Sequence, residues 1–222
     1  MLLTNALFLQ VNKLIPVLAL SYVLVLGLLS SVAIIGAYYN IPIVRFTGDP
    51  TVILGGRPFT GVISNVGVLF WCATSAICFF SFAIYGKTRN ALTARFLLFS
   101  GLLTLLLLLD DLFVLHETIF PVYFHIPQTA VYLGYLILIS MYFYKFKEII
   151  AETEYTLLFI ACSFFGVSVI SDIFLPQKGL EYLVEDGFKL FGIVTWFIYF
   201  IRTCFIQIQE AVPGQSDRKP LK

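Results

Sequence analysis

Six stretches of this chain are each long and apolar enough to cross a lipid bilayer as a helix. The hydrocarbon core of a bilayer is about 30 Å thick and a helix rises about 1.5 Å per residue, so a span needs roughly 20 consecutive apolar residues. Segments of that kind cover 14–39, 61–85, 93–119, 127–144, 155–175 and 185–206. Six helices that are apolar all round leave almost nothing polar to face water in a chain of 222 residues, which excludes a soluble helical core. The runs are also too long, and alternate too little, for the strands of a membrane barrel.

Composition agrees. Hydrophobic residues make up 59% of the chain and charged residues 12%, against about 25% charged in soluble domains. The formal net charge of +1 gives no electrostatic reason to expect a nucleic acid partner. The fold class expected is therefore all-α: a polytopic integral membrane protein, a six-helix transmembrane bundle over 1–206 with a flexible polar tail at 207–222. MLLTNALFLQVNK has no basic opening region, so a cleaved signal peptide is not expected. Residues 1–12 are expected to form a short interfacial helix. The connection NIPIVRFTGDPTVILGGRPFTG carries Pro42, Pro50 and Pro58 but also Ile43, Val44, Phe46 and Ile53. It should fold back against the bundle rather than extend into water. The cysteines Cys72, Cys78, Cys162 and Cys204 contain no CxxC pair and are expected as packing residues.

An even number of spans places both termini on one side. Ten lysines and arginines fall on that side and its flanks, from Lys13 to Lys222; four fall opposite, namely Arg45, Arg57, Lys178 and Lys189. The excess makes the terminal side cytoplasmic by the positive-inside rule. Acids are distributed the other way. Asp49, Asp110, Asp111, Glu117, Asp172, Glu181, Glu185 and Asp186, with both histidines, His116 and His125, belong to the opposite, non-cytoplasmic half.

The segment that states the problem is LLLLLDDLFVLHE, residues 105–117. Counting from Arg95 at the cytoplasmic interface, Asp110 lies about 22 Å along the helix, still within hydrocarbon. A charge at that depth costs several kcal/mol and marks a paired or functional group. On one continuous helix Asp110 and Glu117, seven apart, form a column, with Asp111 and His116 each about 100° to the side. Those four groups would then not meet at a single point. Three other helices are expected to bring polar groups to the same layer: Asn65; Ser171 and Asp172; and Glu185, Asp186 and Lys189. In EDGFK, Lys189 stands one turn from both acids and can pair locally with either. Gly187 and Gly192 are expected to admit a neighbouring helix.

Two kinds of chemistry suit such a layer. Carboxylates with one imidazole can hold a divalent metal ion, with Asp110, Asp111, Glu117, Asp172, Glu185 and Asp186 as candidate ligands. Asp110 or Asp111 can serve as an acid with His116 as base, acting on a lipid-like substrate. The chain has only two histidines and lacks paired Glu-x-x-His motifs, which disfavours a di-iron bundle. The leading expectation is a carboxylate-rich site opening to the non-cytoplasmic face, binding a divalent cation and contacting membrane lipid. The alternatives are a non-catalytic assembly subunit bound to other membrane proteins, and a small ion or proton-coupled transporter, although no repeated halves are evident.

Overall fold

The computed structural model describes residues 2–48, 50–57, 59–85, 91–174 and 180–211. The expected tail lies outside them from residue 212 onward. The protein is all-α, and six of its helices meet the length and hydropathy needed to cross a membrane. It divides into two units, 1–60 and 61–222.

The first unit is dominated by α1, Leu2–Tyr39, which runs without interruption through Pro16. The short separate helix expected at residues 1–12 is thus continuous with the first span. Pro16 removes one backbone donor but does not break the helix. α1 ends on Asn40, in the left-handed region at φ 53°. The Ile41 N–H then bonds back to the Gly36 carbonyl at 2.9 Å, a closure that satisfies a terminal carbonyl. Two short helices follow, α2 at Val44–Thr47 and α3 at Pro50–Ile53. Ile43 and Phe46 approach the end of α1, while no residue of α2 or α3 is buried. A side chain at Gly36 would lie 3.0 Å from Ile43 Cδ1 and 3.6 Å from the Phe46 ring.

The second unit holds α4 (Val62–Tyr85), α5 (Ala91–Phe113), α6 (Gln128–Ala151), α7 (Tyr155–Phe174) and α8 (Leu180–Ala211). α8 packs extensively against both α4 and α7, and α4 packs in turn against α5. α6 adjoins α5 at the far end of this arc. Aromatic residues fill the centre. Trp71, Phe165 and Trp196 meet with ring centroids 5.7–6.2 Å apart. Phe96, Tyr142, Phe146 and Phe200 form a second cluster. Ser75, Ser100 and Thr104 are buried between the helices. Each is satisfied within the protein, Ser75 by the Gly101 carbonyl, Ser100 by Tyr142 and Thr104 by the Trp196 indole N–H. Hydroxyls paired this way bind helices together where water cannot compete. All four cysteines are free.

Small residues set the closest approaches. A Cβ at Gly192 would stand 2.6 Å from the Phe165 ring, whereas one at Gly187 would meet nothing within 4 Å. Of the two glycines expected to admit a neighbour, only Gly192 does. Phe165 cannot swing aside, because it is held between Trp71 and Trp196. Gly192→Ala is therefore expected to destabilise the protein by about 1–3 kcal/mol through overpacking. Gly187→Ala, in open space within the same helix, should be neutral or stabilising by up to about 1 kcal/mol. Thermal unfolding of both variants in one detergent checks the contrast.

Candidate functional site

α5 does not continue to residue 119. It stops at Phe113, and Val114 adopts the left-handed conformation, φ 53° and ψ 45°. A π-helix, Leu115–Tyr123, then begins. The left-handed region costs an L-residue about 1–2 kcal/mol, and more for a β-branched one, whose second Cγ crowds the backbone. Short π-helical turns and such outliers cluster at functional positions.

The break changes which groups meet. On a continuous helix His116 would point well away from Asp110. Here it folds back onto it. The His116 backbone N–H donates to Asp110 Oδ1 at 3.0 Å, and Nδ1 lies 2.5 Å from Oδ2. Tyr135 on α6 donates its hydroxyl to Asp110 Oδ1 at 2.7 Å. Asp110 and His116 are 5% and 6% exposed. The column expected of Asp110 and Glu117 is replaced by a sequence of contacts in which His116 is central, with Nε2 3.4 Å from Glu117 Oε1. The Glu117 side chain is half exposed.

Asp111 faces the other way. Its Oδ1 takes the Lys189 ammonium from α8 at 2.7 Å, and its Oδ2 takes the Trp71 indole N–H from α4 at 2.7 Å. Lys189, which could pair with acids one turn away on its own helix or with Asp110 or Asp111, bridges to Asp111 on α5. A cavity of about 20 Å³ beside this pair is lined by Ser64, Asp111, Asp186 and Lys189, with Gly67 and Ile193 among the apolar walls. Asp172 on α7 forms a third centre. Its Oδ2 accepts from Tyr132 and Gln128 of α6, each at 2.7 Å. The Tyr132 ring lies against the His116 ring, centroids 5.2 Å apart, so the first and third centres touch.

Five of the acids expected in one layer fall into three centres. Asp110, His116 and Glu117 form one; Asp111 and Lys189, with Asp186 at the adjoining cavity, form the second; Asp172 anchors the third. Glu185 is half-buried at the start of α8, Ser171 is buried, and Asn65 is exposed. His125 is exposed in a left-handed turn at φ 56°. Among the described residues, no group of three or more His, Cys, Asp or Glu is placed to hold a metal ion. Sequence reasoning missed the donors: Trp71, Gln128, Tyr132 and Tyr135. The last three had a readable signal, since spacings of four and three place them on one face of α6.

Electrostatics follow from the pairing. Burial alone would lower the His116 pKa. The hydrogen bonds to Asp110 and Glu117, reinforced by the Asp110 charge, outweigh burial and raise it from 6.5 to about 9. The direction favours the charged ring, whose Nδ1–H can donate to Asp110. The same contact with His116 holds the Glu117 carboxyl below the usual glutamate range. A raised histidine pKa means that the folded state binds this proton more tightly than the unfolded chain. Its contribution to stability is complete below about 6.5 and is lost as pH rises through about 9. The stability difference between wild type and His116→Asn is accordingly expected to be largest near pH 6 and to shrink towards pH 10. Unfolding midpoints of the two proteins across that range measure it.

Comparison with known proteins places the chain in a family. No curated protein and no solved structure matches it. A family model described as a domain of unknown function, DUF8692, matches residues 17–203, which takes in five of the six membrane-crossing helices in full and most of the sixth together with all three carboxylate centres, and the chain belongs to that family.

Proposed function

We propose that Asp110, His116 and Glu117 form an acid–base centre at the non-cytoplasmic face of the membrane, acting on the headgroup of a lipid-like substrate. The observation that carries this reading is the double hold of Asp110 on His116, through the backbone N–H and through Nδ1. A carboxylate on Nδ1 fixes the ring and leaves Nε2 as the atom that exchanges protons. Nε2–H can donate to an oxygen on a substrate headgroup, and the half-exposed Glu117 carboxylate, 3.4 Å from that nitrogen, can return or remove the proton. The depth of Asp110 in the third span and the excess of basic residues at the other end of the helices support placement at the non-cytoplasmic interface.

A divalent cation held by the whole set of acids has less support. The oxygens of Asp110, Asp111 and Asp172 already accept hydrogen bonds from Tyr135 and His116, from Trp71 and Lys189, and from Tyr132 and Gln128. A second reading, a non-catalytic assembly subunit in which the three centres serve as interhelical locks, rests on one fact. Among the described residues, no buried side-chain N or O atom is without a hydrogen-bond partner. Such a network can specify one helix arrangement without doing chemistry.

The two readings part in a reconstituted assay. Protein in vesicles containing phospholipids and isoprenoid phosphates is followed by mass spectrometry of the lipid pool. The acid–base reading expects consumption of one lipid class, reduced about 10²–10⁴-fold by His116→Gln and strongly by Asp110→Asn. Glu117→Gln should lower turnover while leaving the protein folded. An unchanged lipid pool, or equal turnover by wild type and His116→Gln, would remove the acid–base reading and leave the assembly one.

A further inference from the structure

Asp110 and His116 are almost fully covered, so a lipid headgroup reaches them only when some element moves. The arc of helices in the second unit points to which. α6 and α7 are its two ends, and on the site side the hydrogen bonds of Tyr132 and Gln128 to Asp172 join them. α6 is also held unevenly. Its buried residues, Tyr142, Phe146 and Ile149, all lie in its cytoplasmic half. That half packs on Phe96 and shares a hydrogen bond with Ser100. The site half, 128–141, contains no buried residue; Leu133, Leu136, Ile137 and Leu138 are exposed. Three polar side chains, Gln128, Tyr132 and Tyr135, tie it to Asp172 and Asp110, beside a partly buried Ile139 that packs on the core and contact with the π-helix. Two of these, Tyr132 and Tyr135, are the groups that cover the His116 ring and the Asp110 carboxylate from this side.

Segments with few buried apolar contacts open at lower free energy than the packed core around them. We propose that the site half of α6 is a lateral gate: it swings away from α7 when the Tyr132 and Gln128 bonds to Asp172 release, exposing Asp110 and His116 to the outer leaflet. The packed cytoplasmic half stays in place and acts as the pivot. Substrate then comes sideways from the bilayer, not down from the aqueous phase, which suits a molecule with an acyl or isoprenoid tail. The gate rests on the acid–base reading for its purpose, but its motion can be measured without any substrate.

The measurement is the rate at which a membrane-soluble carbodiimide modifies Asp110, read by mass spectrometry of the peptide carrying it, with protein in phospholipid vesicles. The variants are Gln128→Leu and Tyr132→Phe. Each removes one of the two bonds from α6 to Asp172 and leaves Asp110 and its own hydrogen bonds intact. Both are expected to raise the Asp110 modification rate several-fold over wild type, and the double variant to raise it about tenfold. Trp71→Phe, which loosens the opposite side of the layer at Asp111, should leave the rate unchanged. Equal rates in wild type and the double variant, which has lost both bonds to Asp172, would overturn the gate. So would an equal rise in Trp71→Phe, since loosening would then be general. Lipid turnover plays no part in this readout. A gate that opens in a protein that consumes no lipid would count against the acid–base reading alone.

Discussion

Carboxylates withdrawn from water have to find donors inside the protein, and the second unit is arranged around that requirement. Asp110, Asp111 and Asp172 each meet it in the same way, with one aromatic donor and one further group. Asp110 takes Tyr135 and His116, Asp111 takes Trp71 and Lys189, and Asp172 takes Tyr132 and Gln128. A tyrosine or tryptophan suits this role because its ring packs in the apolar layer while its single polar atom reaches the carboxylate. The donors come from α4, α6, α8 and the π-helix, so compensating three acids also fixes how these helices stand around α5 and α7. Removing one donor would leave a buried charge short of a partner, which costs far more than a surface hydrogen bond.

One of the three centres differs from the others. Asp111 and Asp172 are served by groups on separate helices, but Asp110 receives both the N–H and the ring of His116, only six residues on. An unbroken helix cannot make that contact. It exists because Val114 turns left-handed and the chain continues as a π-helix. The backbone cost is repaid by charge-assisted hydrogen bonds, which are about twice as strong as neutral ones. A left-handed, β-branched residue at the turn that brings His116 onto Asp110 is the feature on which the proposed acid–base reading leans.

The spans were legible because length and hydropathy are one-dimensional properties: all six expected segments coincide with helices, to within several residues at their ends. The concentration of acids in one layer was legible for the same reason, from depth counted along each helix. The pairing was not. Helical periodicity assigned Asp110 to Glu117, because local spacing assumes an unbroken helix; for Lys189 it offered acids one turn away beside a salt bridge to Asp110 or Asp111, and the bridge to Asp111 is the one formed. Nothing in FVLHE announces a left-handed valine; glycine or asparagine would have been the usual signal. Tyr132, Tyr135 and Trp71 were hidden by abundance, since a chain with 12 tyrosines and 23 phenylalanines offers interfacial belts as a sufficient reason for every ring.

The most direct test of this account is a double-mutant cycle between Asp110 and His116, using Asp110→Asn, His116→Gln and the pair of changes together, with unfolding free energies measured in one detergent near pH 7. If the helix break exists to join these two residues, the effects are strongly non-additive, with a coupling of about 1–3 kcal/mol and a double variant little worse than Asp110→Asn alone. Additivity within about 0.5 kcal/mol would mean that the two side chains do not interact, and would contradict the pairing on which the site is built.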